Sequence, residues 1–293
     1  VVPPVSGTEY GVFKLTPGTF VQRIHAVKAS GATLFRLSYL NGAGYNIQQI
    51  ADSGLNVELT FNYNQLNVGN GYAIDSNDFK HDLLATLDLS TTKPKYITVR
   101  NEFANWNYWD TSHIERYVQN ELNPAVHIGD SMGIIVGDGG FLPNLIYTLL
   151  KYYQDNSLAD SVTWICNATG ISPSSTSSPA VIRTMTLYNY VLNNSLAVYN
   201  QHWQEPFTGD TTLTTTSGVL PVLINYIKSR TGRDNMTNEF HTENHSQSLL
   251  NALCDEFNST GPITEEYFSG DTDLGSVDLL EPDYRLWLES LIN

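Results

Sequence analysis

The chain has 293 residues, is 41% hydrophobic and carries 30 acidic against 15 Lys and Arg residues, a formal net charge of −15. That length and apolar share suit one large α/β domain with a sizeable core. The acidity argues against nucleic acid and anionic membrane surfaces as partners, since both select a basic footprint, and no apolar run approaches the ~18 residues of a membrane span.

In chain order, "YGVFKL" (10–15) reads as a strand. Thr16 and Pro17 then open a helix with Phe20, Ile24 and Val27 on its inward stripe, and Gly31 ends it. "TLFRLSYL" (33–40) is a second strand, "NIQQIADSG" a short helix stopped by Gly54, and "NVELTFNYN" (56–64) a third strand. A loop rich in Asn and Gly leads to a helix from about Asp78 to Leu87. "KYITVRNE" (95–102) is the fourth strand. The helix after it is expected to start at Ser112, with Glu115 completing a capping box, and to break or kink at Pro124.

"GIIVGDGG" (133–140) is the fifth strand and "FLPNLIYTLLKYY" a helix. Residues 156–180 read as irregular. "AVIRTMTLYNYVLNN" is helical, "LAVYNQHW" (196–203) is the sixth strand, and "VLPVLINYIKSRTG" is a helix ended by Gly232. "NMTNE" (235–239) is a short, polar seventh strand. In the helix after it, Cys254 shares an apolar face with Leu249, Leu250, Leu253 and Phe257, the pattern of a buried free thiol rather than a bridge to Cys166. "PITEEYFSG" (262–270) is the eighth strand, and the tail reads as a hairpin piece and a closing helix.

Strand and helix alternate about eight times with no linker or low-complexity segment. Such alternation gives parallel strands with crossover helices, and eight units in this length fit a single (β/α)8 barrel over residues 1–293. An open doubly wound sheet would call for a Gly-rich phosphate turn after the first strand, and "FKLTPGTF" is not one. Charged residues make up 15% of the chain, below the ~25% usual for soluble domains. Thr, Ser, Asn and Tyr supply the polarity instead, so a secreted, periplasmic or cell-surface location is expected. Sequons at Asn167, Asn193, Asn235, Asn244 and Asn258 are common by chance in so Asn- and Thr-rich a chain and say little about glycosylation.

Chemistry in such a barrel sits at the C-terminal ends of the strands. Glu102 ends the fourth and Glu239 the seventh, on opposite sides of one mouth. Two carboxyl groups so placed are what glycoside hydrolysis needs: one protonates the leaving oxygen, and the other attacks the anomeric carbon or activates water. With Asn101 before Glu102, Arg36 in "LFRLSY", "VGDGG" after strand five and "NQHWQEP" at strand six, the chain resembles the clan A glycoside hydrolases.

That resemblance, which spans nearly the whole chain in order, implies a retaining (β/α)8 glycosidase. Glu102 would be its acid/base, Glu239 its nucleophile, Arg36 the support of the nucleophile, and Asn101 a contact to the sugar 2-OH. His202 and Trp203 would match the His-aromatic segment. Two positions depart from the pattern: Gln204 follows Trp203 where a Tyr is common, and Tyr267 and Phe268 stand where strand eight often ends in Trp.

Burial among Trp106 and Trp109 is expected to raise the pKa of Glu102, because desolvation disfavours the charged form, while Arg36 keeps Glu239 ionised. Trp106, Trp109, Trp203 and Tyr267 are expected to offer flat faces to sugar rings. Tyr63 and Tyr72 read as core packing, and Glu58, Glu265 and Glu266 as structural or as secondary substrate contacts. His241 and His245 have metal-pair spacing but precede the helix that Ser246 caps, so no metal and no cofactor are expected. The reading is a monomeric retaining β-glycosidase acting on an oligo- or polysaccharide. A catalytically silent carbohydrate-binding barrel is the alternative. A metal-dependent barrel hydrolase lacks the expected His and Asp ligands at the early strand ends.

Overall fold

A computed structural model of the chain describes residues 7–14, 19–38, 44–63, 71–105, 109–205, 218–242 and 247–269. The apolar runs become eight parallel strands: β1 (Glu9–Lys14), β2 (Leu34–Ser38), β3 (Asn56–Phe61), β4 (Tyr96–Val99), β5 (Ile135–Asp138), β6 (Tyr199–Glu205), β7 (Asn235–Thr242) and β8 (Thr264–Ser269). They run β5-β4-β3-β2-β1-β8-β7-β6 around the sheet. Isolated parallel bridges, Gly137 to Val198 and Phe141 to Gln201, draw β5 against β6. The result is the nearly closed, single-domain (β/α)8 barrel expected from the alternation.

Both faces of these strands are covered, and most apolar residues of β2, β3 and β4 fall on the outward one. The outward residues Phe35, Leu37, Leu59, Phe61, Ile97 and Val99 are buried in the main apolar core. That core is closed by α1 (Phe20–Ala29), α2 (Gly44–Asp52), α3 (Ser76–Asp88), α4 (Ile114–Arg116), α5 (Asn123–Met132), α6 (Ile146–Asp155), α7 (Ala159–Thr169), α8 (Pro179–Asn194), α9 (Val219–Thr231) and α10 (Gln247–Asn258). Cys254 and Cys166 are both free thiols, and Cys254 is buried on α10 as its apolar face requires.

The barrel interior differs from the branched aliphatic filling usual for this fold. Arg36, Glu58, Thr60, Thr98, Asn200, Asn238 and Glu266 are all buried, and many bond to one another. At the opposite, N-terminal end Glu9 is held by Lys95 Nζ (2.6 Å), the Tyr96 hydroxyl (2.9 Å) and Asn56 Nδ2 (2.5 Å). This clamp ties β1, β3 and β4 together beneath the polar interior.

Several local expectations change. Residues 156–180 are not irregular: α7 runs from Ala159 to Thr169, with Ile165 and Thr169 buried and Gly170 as a left-handed cap. Its single buried turn-to-turn pair is too sparse a stripe to stand out by periodicity. Thr19, not Thr16, caps α1, through a reciprocal capping box with Gln22. Asp110 rather than Ser112 caps the turn before α4, accepting from the Ser112 amide. Pro124 does not stop the helix either. The chain passes from α4 through a π-helical segment, Tyr117–Leu122, into α5 with Pro124 in its first turn; Pro lacks an N–H, and a helix start does not use one. Strand β7 extends beyond Glu239 to Thr242. The hairpin and closing helix expected in the tail lie outside the described residues.

Candidate active site

Strand β4 ends abruptly because Arg100 and Glu102 both take left-handed backbone angles, φ 70° and 50°. For residues with a Cβ this costs about 1–2 kcal/mol each, so surrounding contacts must hold the turn. Arg100, 1% exposed, forms a two-pronged ion pair with Glu121 of the π segment, Nε to Oε2 at 2.7 Å and Nη2 to Oε1 at 2.6 Å. It also donates to the carbonyls of Tyr63 and Gly71 and lies 4.2 Å from the Trp109 ring centroid. Phe103 is buried and stacks on Tyr117 at 4.8 Å. The Glu102 amide donates to Gly139 O at 2.5 Å. Gly139 permits this close approach: a Cβ there would sit 2.5 Å from the Val99 carbonyl oxygen.

Glu239 on β7 and Arg36 on β2 meet across the mouth. Arg36 is 1% exposed. Its Nη1 donates to Glu239 Oε2 (2.9 Å) and the Asn238 carbonyl (2.7 Å), its Nη2 to Asn101 Oδ1 (2.6 Å) and its Nε to Thr60 Oγ1 (2.9 Å). The guanidinium thereby ties β2 to β3, to β7 and to the Asn101 turn after β4. With Oδ1 on Arg36, the Asn101 Nδ2 group is the amide edge left for a ligand.

His202 enters from β6. Its Nε2 lies 2.8 Å from Asn238 Oδ1. Asn238 Nδ2 donates to Thr98 Oγ1 at 3.0 Å, and its Oδ1 accepts from Asn200 Nδ2 at 2.7 Å. This network assigns the carbonyl oxygen to the His202 side, so Nε2 carries the proton. The ring is seated against Gly140, φ 92°, where a Cβ would fall 2.1 Å from Nε2. His202 Nδ1 then faces Glu102 Oε1 at 3.7 Å and Glu239 Oε2 at 3.9 Å. One donor atom from each of the three side chains lies within 4.8 Å of the others.

Burial raises the pKa of Glu102, as expected, but His202, an Asn105 Nδ2 hydrogen bond and the Arg36 charge together outweigh it and hold the carboxyl below its ordinary value. The expected upward shift is therefore corrected to a downward one. Asp138, at the end of β5, is fully buried. Desolvation pushes it up to about 7, with Arg233 and the Gly140 and Asn200 amides pulling the other way. Glu58 and Glu266 in the interior are both raised, by burial first; their charges oppose each other, and Arg36 partly compensates.

Arg36, Asn101, Glu102, His202 and Glu239 thus converge as the sequence suggested. The tryptophans do not behave as open platforms. Trp109 is 7% exposed, sits against Arg100 and donates its Nε1–H to the Asn101 carbonyl at 2.9 Å. Trp203 is 3% exposed, within the apolar core. Both rings build the wall instead of presenting a face, because each side chain falls on the buried side of its turn or strand. Trp106 lies outside the described residues, as does the side chain of Tyr267, whose backbone pairs with Val12 in β8. Sequence reasoning gives no role to Asn105, Glu121, Asn238 or Asp138, although Asp138 stands within "VGDGG". Asn238 had a visible signal, since it precedes Glu239 as Asn101 precedes Glu102; Glu121 and Asn105 had none.

No protein-family model matches the chain, and no curated protein sequence does. Solved structures do share its fold. A broad-specificity GH5-4 endoglucanase from Clostridium longisporum aligns over 98% of this chain and 95% of its own, with TM-score 0.57 and 14% identity. Thermotoga maritima Cel5A, solved with cellobiose, aligns over the full length of both chains with TM-score 0.56 and 10% identity. A glucosidase from Croceicoccus marinus aligns over 99% of this chain and 68% of its own, with TM-score 0.60 and 9% identity. The chain therefore has the (β/α)8 architecture that these glycosidases use.

Proposed function

We propose that this protein is a retaining β-glycosidase that cleaves an oligo- or polysaccharide by double displacement. The observation that carries the reading is the convergence of Glu102 and Glu239, one carboxylate oxygen of each lying within 4.8 Å of the other and of a His202 ring nitrogen. Retaining pairs stand about 5–5.5 Å apart, and inverting pairs about 6.5–9.5 Å to admit a water. Glu239, ion-paired to Arg36, is the nucleophile that attacks the anomeric carbon. Glu102 protonates the departing oxygen and then takes a proton from the water that hydrolyses the glycosyl-enzyme. The Asn101 Nδ2 group, with Oδ1 taken by Arg36, would donate to the sugar 2-OH.

The Arg36 clamp fits this division of labour, since a guanidinium 2.9 Å from Glu239 Oε2 fixes the carboxylate at the mouth. A monomer is part of the same reading, as is action outside the cytoplasm, for which the low charged fraction speaks. The test is a screen of aryl β-glycosides and β-linked glucans against wild type, Glu102→Ala and Glu239→Ala. Turnover by the wild type and its loss in Glu239→Ala are expected, with Glu102→Ala retaining activity only toward aryl substrates whose leaving groups need no proton. Full activity in either variant contradicts the assignment.

A further inference from the structure

We infer that Glu102, His202 and Glu239 also form a binding site for a divalent cation of the zinc class, and that the ion blocks the centre by occupying it. The blocking role rests on the glycosidase reading above; the binding itself does not.

The inference starts from His202 Nδ1. The atom is buried and has no hydrogen-bond partner among the described residues, and the residue is 1% exposed. Its contacts to Glu102 at 3.7 Å and Glu239 at 3.9 Å are too long for hydrogen bonds. The opposite ring nitrogen is committed as a donor to Asn238 Oδ1, so Nδ1 is the ring atom aimed between the two carboxylates, and an ion that binds there takes the place of any proton it carries. An imidazole whose second N–H is fixed by a protein oxygen is the usual state of a metal-bound histidine. Asn238 is itself held by Thr98 and Asn200, so the ring cannot turn to present Nε2 instead.

The donor spacing fits a small ion. Zinc binds imidazole nitrogen and carboxylate oxygen at about 2.0–2.2 Å, so tetrahedral ligands stand roughly 3.3–3.6 Å apart. The two histidine–carboxylate distances need a few tenths of an ångström of closure, and the carboxylate pair at most about 1.5 Å. Glu102, with 13% of its side chain exposed, lies at the open mouth and has the freedom to supply that movement. One nitrogen and two oxygens suit Zn2+ over Mg2+ or Ca2+, which take all-oxygen shells. Arg36 Nη1 holds one lone pair of Glu239 Oε2 at 2.9 Å and orients that carboxylate. Its charge offsets only one of the two ligand carboxylates. The fourth coordination position opens toward the mouth, where the scissile sugar would sit, so ion and substrate exclude each other.

The experiment uses the full chain stripped of metal with a chelator. Co2+ is titrated while its visible d–d absorption is followed, Zn2+ is used to displace it, and bound metal is counted by equilibrium dialysis. One ion per chain is expected, with tetrahedral-type Co2+ absorption. His202→Ala and Glu102→Gln should each weaken Zn2+ by more than about 10-fold, while His81→Ala, an exposed histidine, should leave it unchanged. Thermal unfolding checks the fold of each variant. Glu102→Gln, at the rim, carries the test if His202→Ala does not fold. Failure to bind Zn2+ at millimolar concentration, or unchanged binding in the folded ligand variants, overturns the site. Binding without any glycoside turnover would uphold the site and sink the glycosidase reading; turnover without binding would do the reverse.

Discussion

Replacing Glu265 with Gln should flatten the pH dependence of stability. Glu265 lies on β8 and is fully buried. Neither of its oxygens has a nitrogen or oxygen donor among the described residues, and burial pushes its pKa from 4.5 to about 8 against the opposing effect of a Cys254 thiol hydrogen bond. The folded state therefore holds this proton more tightly than the unfolded chain. Its contribution to stability is complete below about pH 4.5 and is lost as pH rises towards 8. At 1.36 kcal/mol per pH unit the whole span corresponds to as much as about 5 kcal/mol, with about 3 kcal/mol of it lost between pH 4.5 and 7.

Gln keeps the shape and removes the titration. Asp138, Glu58 and Glu266, which are also raised, remain in both proteins and cancel in the comparison. Urea unfolding of wild type and Glu265→Gln at intervals from pH 4 to 8.5 measures the difference. The curves should converge on the acid side, and the variant should gain about 3 kcal/mol relative to wild type by pH 7. Parallel curves would show that Glu265 does not titrate across this range and would refute the argument.

Three other outcomes follow from the site. Glu121→Gln removes the partner of a buried guanidinium and should cost about 3–5 kcal/mol in denaturant unfolding; a loss below about 1 kcal/mol would mean that Arg100 finds water or another partner. Gly140→Ala places a methyl where the His202 ring stands, in a left-handed backbone position. It should lower kcat/KM by about 100-fold through misplacement of that ring, and wild-type kinetics would contradict the packing. Because Glu102 is held below its ordinary value, the alkaline limb of kcat/KM for wild type should fall on the acid side of the profile. His202→Gln removes one of the influences that lower it and should move that limb upward; superimposable profiles would remove His202 from the account.

The barrel was legible because most strands show as short apolar or β-branched runs between helical stripes, and helix caps such as Gly232 mark the joints. The catalytic candidates were legible because polar residues interrupt those runs at their C-terminal ends, as in "ITVRNE" and "MTNE". What escaped were features set by neighbours distant in sequence. Burial alone suggested a raised pKa for Glu102, while the opposing His202 arrives from β6, a hundred residues away. A tryptophan beside a strand end reads alike whether it faces the mouth or packs under it, and Trp109 packs because Arg100 needs a cover. Helix α7 carries its buried residues on a stripe too narrow to register, and the π segment carries Glu121, the partner of Arg100. Both Asn-Glu-Phe tripeptides have the same logic at the third position, since Phe103 and Phe240 are each buried. Their asparagines diverge: Asn101 lines the mouth and Asn238 orients His202.

The central claim, that Glu239 attacks and Glu102 shuttles the proton, is tested most directly by azide rescue with the product anomer read by proton NMR. Azide added to Glu102→Ala on an aryl β-glycoside should yield the β-glycosyl azide, by attack on the glycosyl-enzyme. Azide added to Glu239→Ala should yield the α-glycosyl azide, by direct displacement. The reverse pairing, or rescue of neither variant beside a wild type that turns over the same substrate, would contradict the assignment.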